Sequence, residues 1–291
     1  MLSIKMLKNK VKSTAATSIS GNIFRLVLIL ITILALTFLK GNKTINEIEK
    51  VKESKFSVVN NKKDIPITEL NVPILTYHQV RNLKSTDSLR AQRFIVSIDA
   101  FEAQIKKLHD EGYVSIGLDD LLNGFEYNSL PAKPVILTFD DGYKSQYENA
   151  LPILEKYNMK ATFFVYTSAI SYLGISMNWD EIKDLEKRGM TIASHTKTHP
   201  KLIFINNDNE LYDEVENSKI ILEGKLGHEV KYFAYPYGLN DDKVRREVED
   251  AGYKAAVTTE EGLVQSKNNI FKLKRFNMNT EREMKFLPYS E

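Results

Sequence analysis

The 291-residue chain contains no cysteine, which excludes disulfides, thiolate metal sites and cysteine nucleophiles. That absence suits a protein that works outside the cytoplasm. Charge of either sign in excess is also missing: 40 basic residues face 38 acidic ones, so the net charge of +2 gives no nucleic-acid footprint. There is a single tryptophan, Trp179, and only five histidines, at 78, 109, 195, 199 and 228. No internal repeat or low-complexity tract stands out, and one long apolar run occurs, from Leu26 to Leu39.

What is present falls into three parts. Lys5, Lys8, Lys10, Lys12 and Arg25 precede the apolar run, which with Ile23 and Phe24 is long enough to span a membrane if Arg25 snorkels. A cleaved signal peptide is the alternative. The following Lys40-Gly41-Asn42-Lys43 offers no small-residue cleavage site, which favours an uncleaved signal-anchor over residues 1–40, with the remainder of the chain outside the cell. Residues 41–70 are polar and lysine-rich and read as a tether. Residues 71–291 are long enough for one large α/β domain.

Strand patterns at 73–77, 135–139, 161–166, 190–194, 231–235, 254–258 and 270–274 alternate with helix patterns at 98–112, 117–123, 146–158, 180–188, 208–226 and 240–252. Gly112, Gly189, Gly227 and Gly252 follow four of those helices, where left-handed caps are wanted. Alternation of this kind implies a parallel, closed or nearly closed barrel. Residues 81–97 form a longer loop that can cover a groove.

The chemistry concentrates in two motifs. Thr138-Phe139-Asp140-Asp141-Gly142-Tyr143 follows the strand pattern Pro134–Leu137. Adjacent carboxylates at a strand end repel, and burial raises the cost. A bound cation resolves the conflict if one carboxylate ligates and the other handles protons. Ser194-His195-Thr196-Lys197-Thr198-His199-Pro200 ends a second strand pattern, and its two imidazoles can aim at one point. Asp-Asp-Gly alone is usually a turn, and a lone histidine pair is usually surface. Both motifs end apolar runs, however, and strand ends of an α/β fold converge on one face. One Asp and two His then form a three-ligand set with positions left for water and substrate.

These motifs resemble the polysaccharide deacetylases with a NodB-homology domain, carbohydrate esterase family four, over roughly residues 71–278. The resemblance implies a distorted (β/α)7 barrel, with Asp140 as base and Asp141, His195 and His199 as ligands of a divalent metal: zinc foremost, with cobalt, nickel, manganese or iron compatible. It implies a third motif at Ala234-Tyr235-Pro236-Tyr237-Gly238, where the backbone N–H of Tyr237 faces the oxyanion. Tyr143, Tyr235 and Trp179 are placed as substrate-binding residues. Two departures stand out. Ala234 occupies the position of the family's usual arginine, and no late Leu-x-His follows, Leu273-Lys274-Arg275 standing in that region. Arg275 can replace the missing arginine in orienting Asp140, or be a surface residue of a basic run. For the acid, His109 lies on an amphipathic helix pattern and His228 in a loop, whereas His78 ends the strand pattern 72–77. Tyr77-His78 and the alanine at 234 are similar to the subgroup that deacetylates poly-β-1,6-N-acetylglucosamine, in which the early Tyr-His supplies the acid.

The expected function is metal-dependent N-deacetylation of an extracellular N-acetylglucosamine polymer, with His78 as acid, at the cell surface. The expected partners are that polysaccharide and the membrane, through the N-terminal segment; the chain is expected to act as a monomer without nucleic acid. Peptidoglycan, chitin oligomers and acetylated xylan are alternative substrates. A carbohydrate-binding protein that kept the fold is the non-enzymatic alternative. An iron oxygenase could use two histidines and one carboxylate, but does not need Asp140 beside the ligand.

Overall fold

The computed structural model describes residues 67–172 and 174–288. The expected anchor and nearly all of the tether lie outside the described residues. Among the described residues, no helix is long and apolar enough to cross a membrane.

Seven parallel strands form one curled sheet: β1 (Ile74–Tyr77), β2 (Pro134–Phe139), β3 (Thr162–Val165), β4 (Thr191–Ser194), β5 (Tyr232–Ala234), β6 (Ala255–Val257) and β7 (Phe276–Asn277). Their spatial order is β6-β5-β4-β3-β2-β1-β7, so the last strand lies beside the first. A short strand, Val114–Ser115, also pairs with β2. The helices α1 (Ile98–Asp110), α2 (Leu118–Tyr127), α3 (Leu151–Lys156), α4 (Trp179–Lys187), α5 (Asp208–Leu226) and α6 (Asp242–Asp250) fall between strands, which is the crossover that parallel pairing demands. Residues 69–71 pair antiparallel with 264–266, so the end of the expected tether belongs to the folded unit.

Local signals explain the helices. Ser97, Asn207 and Asp241 cap α1, α5 and α6 through their side chains, and Asn178 with Glu181 forms a capping box on α4. In α1, Phe101, Gln104, Ile105 and Leu108 turn inward at helical spacing. The four expected glycine caps all adopt positive φ. Several boundaries differ from the sequence pattern: α2 runs on to Tyr127, the expected loop 81–97 holds a short helix at Leu89–Gln92 and a strand at Ile95–Val96, and two segments differ in kind. The helix at 146–158 opens with a π-turn, Gln146–Ala150, before α3. The strand pattern at 270–274 is largely a 3-10 segment, Lys267–Lys272, and β7 lies further on. The reason is a shared duty: Leu273 bonds β6 through Ala256 O and Thr258 N, while Phe276 and Asn277 pair with Leu75 and Thr76 of β1.

Strand alternation separates two cores. Ile74, Ile136, Phe164, Ala193, Ala234, Ala255, Val257 and Leu273 share one cluster on the concave side. Leu75, Leu137, Phe139, Phe163, Val165, Phe233 and Tyr235 join the larger cluster beneath the helices. Within it Phe139 and Phe163 stack, with ring centroids 4.7 Å apart at 8°. Phe163→Ala should cost about 3–5 kcal/mol, the usual consequence of emptying a buried aromatic site, read as a lowered denaturation midpoint with an unchanged slope.

Candidate active site

The same alternation aims the site. His78, Asp140, Tyr166 and His195 continue the inward-facing registers of β1, β2, β3 and β4 just past their C-terminal ends. The backbone there is strained. Of the seven non-glycine residues with positive φ among the described residues, Asp141, Thr196, His199 and Tyr237 belong to the three motifs. At Gly142 (φ +68°) a Cβ would sit 3.0 Å from Val165 Cγ1; at Gly238 (φ +69°) it would meet Thr259 Oγ1 at 2.0 Å. Those two turns therefore require glycine.

Asp141, His195 and His199 converge. His199 Nε2 lies 3.2 Å from His195 Nε2 and 3.4 Å from Asp141 Oδ1, and the remaining separation is 3.6 Å. Corners of a tetrahedron with ligand bonds of about 2.0–2.1 Å stand about 3.3 Å apart, so the set fits a divalent metal with a side left open. His195 Nδ1 donates to Ala234 O (2.7 Å), which leaves its Nε2 lone pair free for a ligand bond. Burial lowers His195 to about 4 and His199 to about 3, so both rings are neutral, as ligation requires. Burial and the Asp140 charge push Asp141 up to about 7, an anion's discomfort that a cation would relieve. The Tyr143 hydroxyl bonds Asp141.

Asp140 is held differently. Arg275 Nη1 donates to Oδ1 (2.8 Å) and Nη2 to Oδ2 (2.7 Å), a bidentate pair with both side chains nearly inaccessible. Arg275 also donates to Thr258 O and Thr138 Oγ1. Burial pushes the Asp140 carboxyl up, but the Arg275 charge leads the opposing effects that hold it well below the usual carboxylate range. The side chain is thus an acceptor only, with its orientation fixed.

The remaining candidates divide. His78 is half-buried against Phe94, ring centroids 4.8 Å apart, with Nδ1 lacking a hydrogen-bond partner. Burial lowers it to about 4, against the pull of Asp140. Tyr237 is half-exposed, its ring 4.8 Å from that of His199. Tyr235 and Trp179 are not brought to the site. Tyr235 follows Phe233 in register, is fully buried, and faces the helix layer, where Arg245 and Glu249 act on it. Trp179 starts α4 and packs on the core with Lys225 over its ring. His109 and His228 are exposed and pair with Asp110 and Glu186.

Three residues escaped the sequence reading. Tyr166, 5.4 Å from the His199 ring, follows Phe164 on the inward register, a signal the strand pattern contained. Glu214 on α5 accepts from Lys197 N, Thr198 N and Thr198 Oγ1 and so braces the histidine loop. Gln146 bonds the ends of β1 and β2. Neither Glu214 nor Gln146 has a local sequence signature.

Two measurements test this geometry. Asp141→Ala, His195→Ala and His199→Ala should each lose bound metal, since three ligands leave no redundancy; elemental analysis showing a triple variant with metal at the same site would refute the ligand set. Arg275→Met should destabilise by roughly 3–5 kcal/mol, because it strands a buried carboxylate, and adding Asp140→Asn should restore part of that loss in a double-mutant cycle.

A family model for polysaccharide deacetylase matches residues 127–256. A Bacillus subtilis protein named for the polysaccharide deacetylases, YxkH, is 31% identical over 205 residues, which is 70% of this chain and 70% of that protein. The poly-beta-1,6-N-acetyl-D-glucosamine N-deacetylase of Staphylococcus aureus is 28% identical over 236 residues, covering 73% of this chain and 80% of its own length. The solved Streptococcus pyogenes deacetylase PplD, in complex with acetate, aligns with a TM-score of 0.67 and 31% identity over 74% of this chain and 95% of that one. With its strand-end carboxylates and histidine pair in the family's order, the chain belongs to the polysaccharide deacetylase family.

Proposed function

We propose that the protein hydrolyses the N-acetyl groups of an extracellular N-acetylglucosamine polymer, with poly-β-1,6-N-acetylglucosamine preferred. The observation that carries the hydrolytic function is the split of two adjacent carboxylates: Asp140 locked on Arg275, Asp141 turned to His195 and His199. Support for the β-1,6 polymer is the name of the Staphylococcus aureus relative, together with His78 at the first strand end and no later histidine than His228.

Asp141, His195 and His199 would hold the metal, zinc foremost, which when bound polarises the acetamide carbonyl and acidifies the attacking water. Asp140 accepts the proton of that water as its oxygen joins the carbonyl carbon. The backbone N–H of Tyr237 shares the charge on the carbonyl oxygen. His78 delivers a proton to the departing nitrogen, the C–N bond breaks, and acetate and a glucosamine unit are released. The ring rests neutral, so the proton that Asp140 takes from the water passes first to His78, where the neighbouring Asp140 charge favours the imidazolium, and from there to the nitrogen. Tyr143 orients Asp141, and Tyr166 and Tyr237 offer ring faces to the sugar. The segment 273–277, bonded towards β6 at one end and β1 at the other, fits the closing strand of a distorted (β/α)7 barrel. The basic, apolar N-terminus would anchor the enzyme at the cell surface, facing its polymer.

Two experiments test the assignment. The protein should release acetate from an acetylated glycan panel and lose that activity with a chelator; binding without release would identify a carbohydrate-binding protein instead, and release from peptidoglycan or xylan alone would move the substrate. His78→Ala should retain metal and lower amide cleavage roughly 10²–10⁴-fold, with a smaller loss on an activated ester whose leaving group needs no proton. Unchanged amide cleavage would remove His78 as the acid.

A further inference from the structure

The sheet abandons two carbonyls at the site. Asp140 N still bonds Tyr77 O, but the next rung is missing, because Gln79 N turns to Phe94 O as the chain swings out to pair with Ile95 and Val96. Asp140 O thereby loses the rung that Gln79 N would have supplied, and His78 O stands at the end of the neighbouring strand. The carboxamide of Gln146, fully buried, takes both: Nε2 donates to His78 O at 2.9 Å and to Asp140 O at 2.5 Å. Two carbonyls can only accept, so the –NH2 face of the amide must be the one turned towards them. Its Oε1 is buried without a partner, a cost the fold carries to keep Nε2 in place. Gln146 opens the π-turn, in which Leu151 N bonds Gln146 O, and wide turns of this kind recur at functional sites. Ser145 and Asn149, on the same turn, grip Val80 through its N–H and its carbonyl.

We propose that Gln146 is a positioning residue that sets the distance between the His78 and Asp140 strand ends, acting chiefly on His78. The two side chains differ in what else holds them. Asp140 is fixed by two bonds from Arg275, independent of its own carbonyl. Among the described residues His78 has no bond at Nδ1 and one ring contact, with Phe94, while Asp140, Arg275 and His199 act on it through charge alone, so its place is inherited mainly from its backbone. Releasing the clamp therefore disturbs protonation of the leaving nitrogen more than activation of water. The proposal rests on the deacetylase function given above.

The test is Gln146→Met, which keeps the volume and removes both N–H groups. With metal content and KM unchanged, kcat on the acetamide should fall roughly 10- to 100-fold, the scale of a sub-ångström to ångström displacement, while an activated ester loses only a few-fold. Equal losses on both substrates would mark a merely structural role, and no loss on either would overturn the proposal. If that variant does not fold, Asn149→Ala, which loosens the same segment at Val80, should show the same selectivity at smaller size; equal losses there would also overturn it. If the unaltered protein hydrolyses neither substrate, the functional assignment fails separately, and hydrogen exchange decides the clamp: faster exchange of the Gln79 and Val80 amides in Gln146→Met supports it, and unchanged exchange refutes it.

Discussion

The pairing of Arg275 with Asp140 is the constraint on which the rest of the site depends. Asp140 and Asp141 are consecutive, and both ionised in a buried pocket they would repel each other strongly. Arg275 removes one of them from that contest by binding it edge-on, and leaves the other for a cation. The same guanidinium reaches Thr258 O beyond β6 and Thr138 on β2. It therefore ties the last part of the chain to the sheet at two further points. A residue that orders a carboxylate also secures the seam of the fold, so site and architecture share one interaction.

The concave interior makes room for that tie. Ala193, Ala234 and Ala255 are small where neighbouring strands carry Ile136 and Phe164, and the guanidinium carbon lies 5.7 Å over the Phe164 ring. Above this layer the backbone is bent into left-handed turns at Asp141, Thr196, His199 and Tyr237. Such turns cost free energy individually. Those of the histidine loop are held by specific bonds, His199 N donating to Thr196 Oγ1 and Lys197 N and Thr198 N donating to Glu214, so that His195 and His199 stand in place before anything binds.

Much of this was legible in the sequence, for definable reasons. The convergence of Asp141, His195 and His199 follows from motif order and strand-end placement, and the helix layer from spacing, caps and terminal glycines. Period-two alternation would also have exposed one error and one omission. Tyr235 shares the outward register of Phe233, so it could not reach the groove; Tyr166 shares the inward register of Phe164 and does. Trp179 misled because one aromatic residue after a loop can turn to core or groove with no change in pattern. Arg275 sits in a basic run in which Lys272 and Lys274 remain outside, and only the three-dimensional seam distinguishes it from them. Gln146 acts on main-chain carbonyls, a kind of partner that side-chain motifs never encode.

The pairing of β7 with β1 carries an implication for how such sites are compared. In a curled parallel sheet whose first and last strands touch, the two chain ends of the domain address the same patch of the groove. Here His78, just past β1, and Arg275, just ahead of β7, face one groove from opposite ends of the domain, so residues from either end of the chain can serve the same site, and position around the sheet, more than position along the sequence, is what a comparison of such sites has to match.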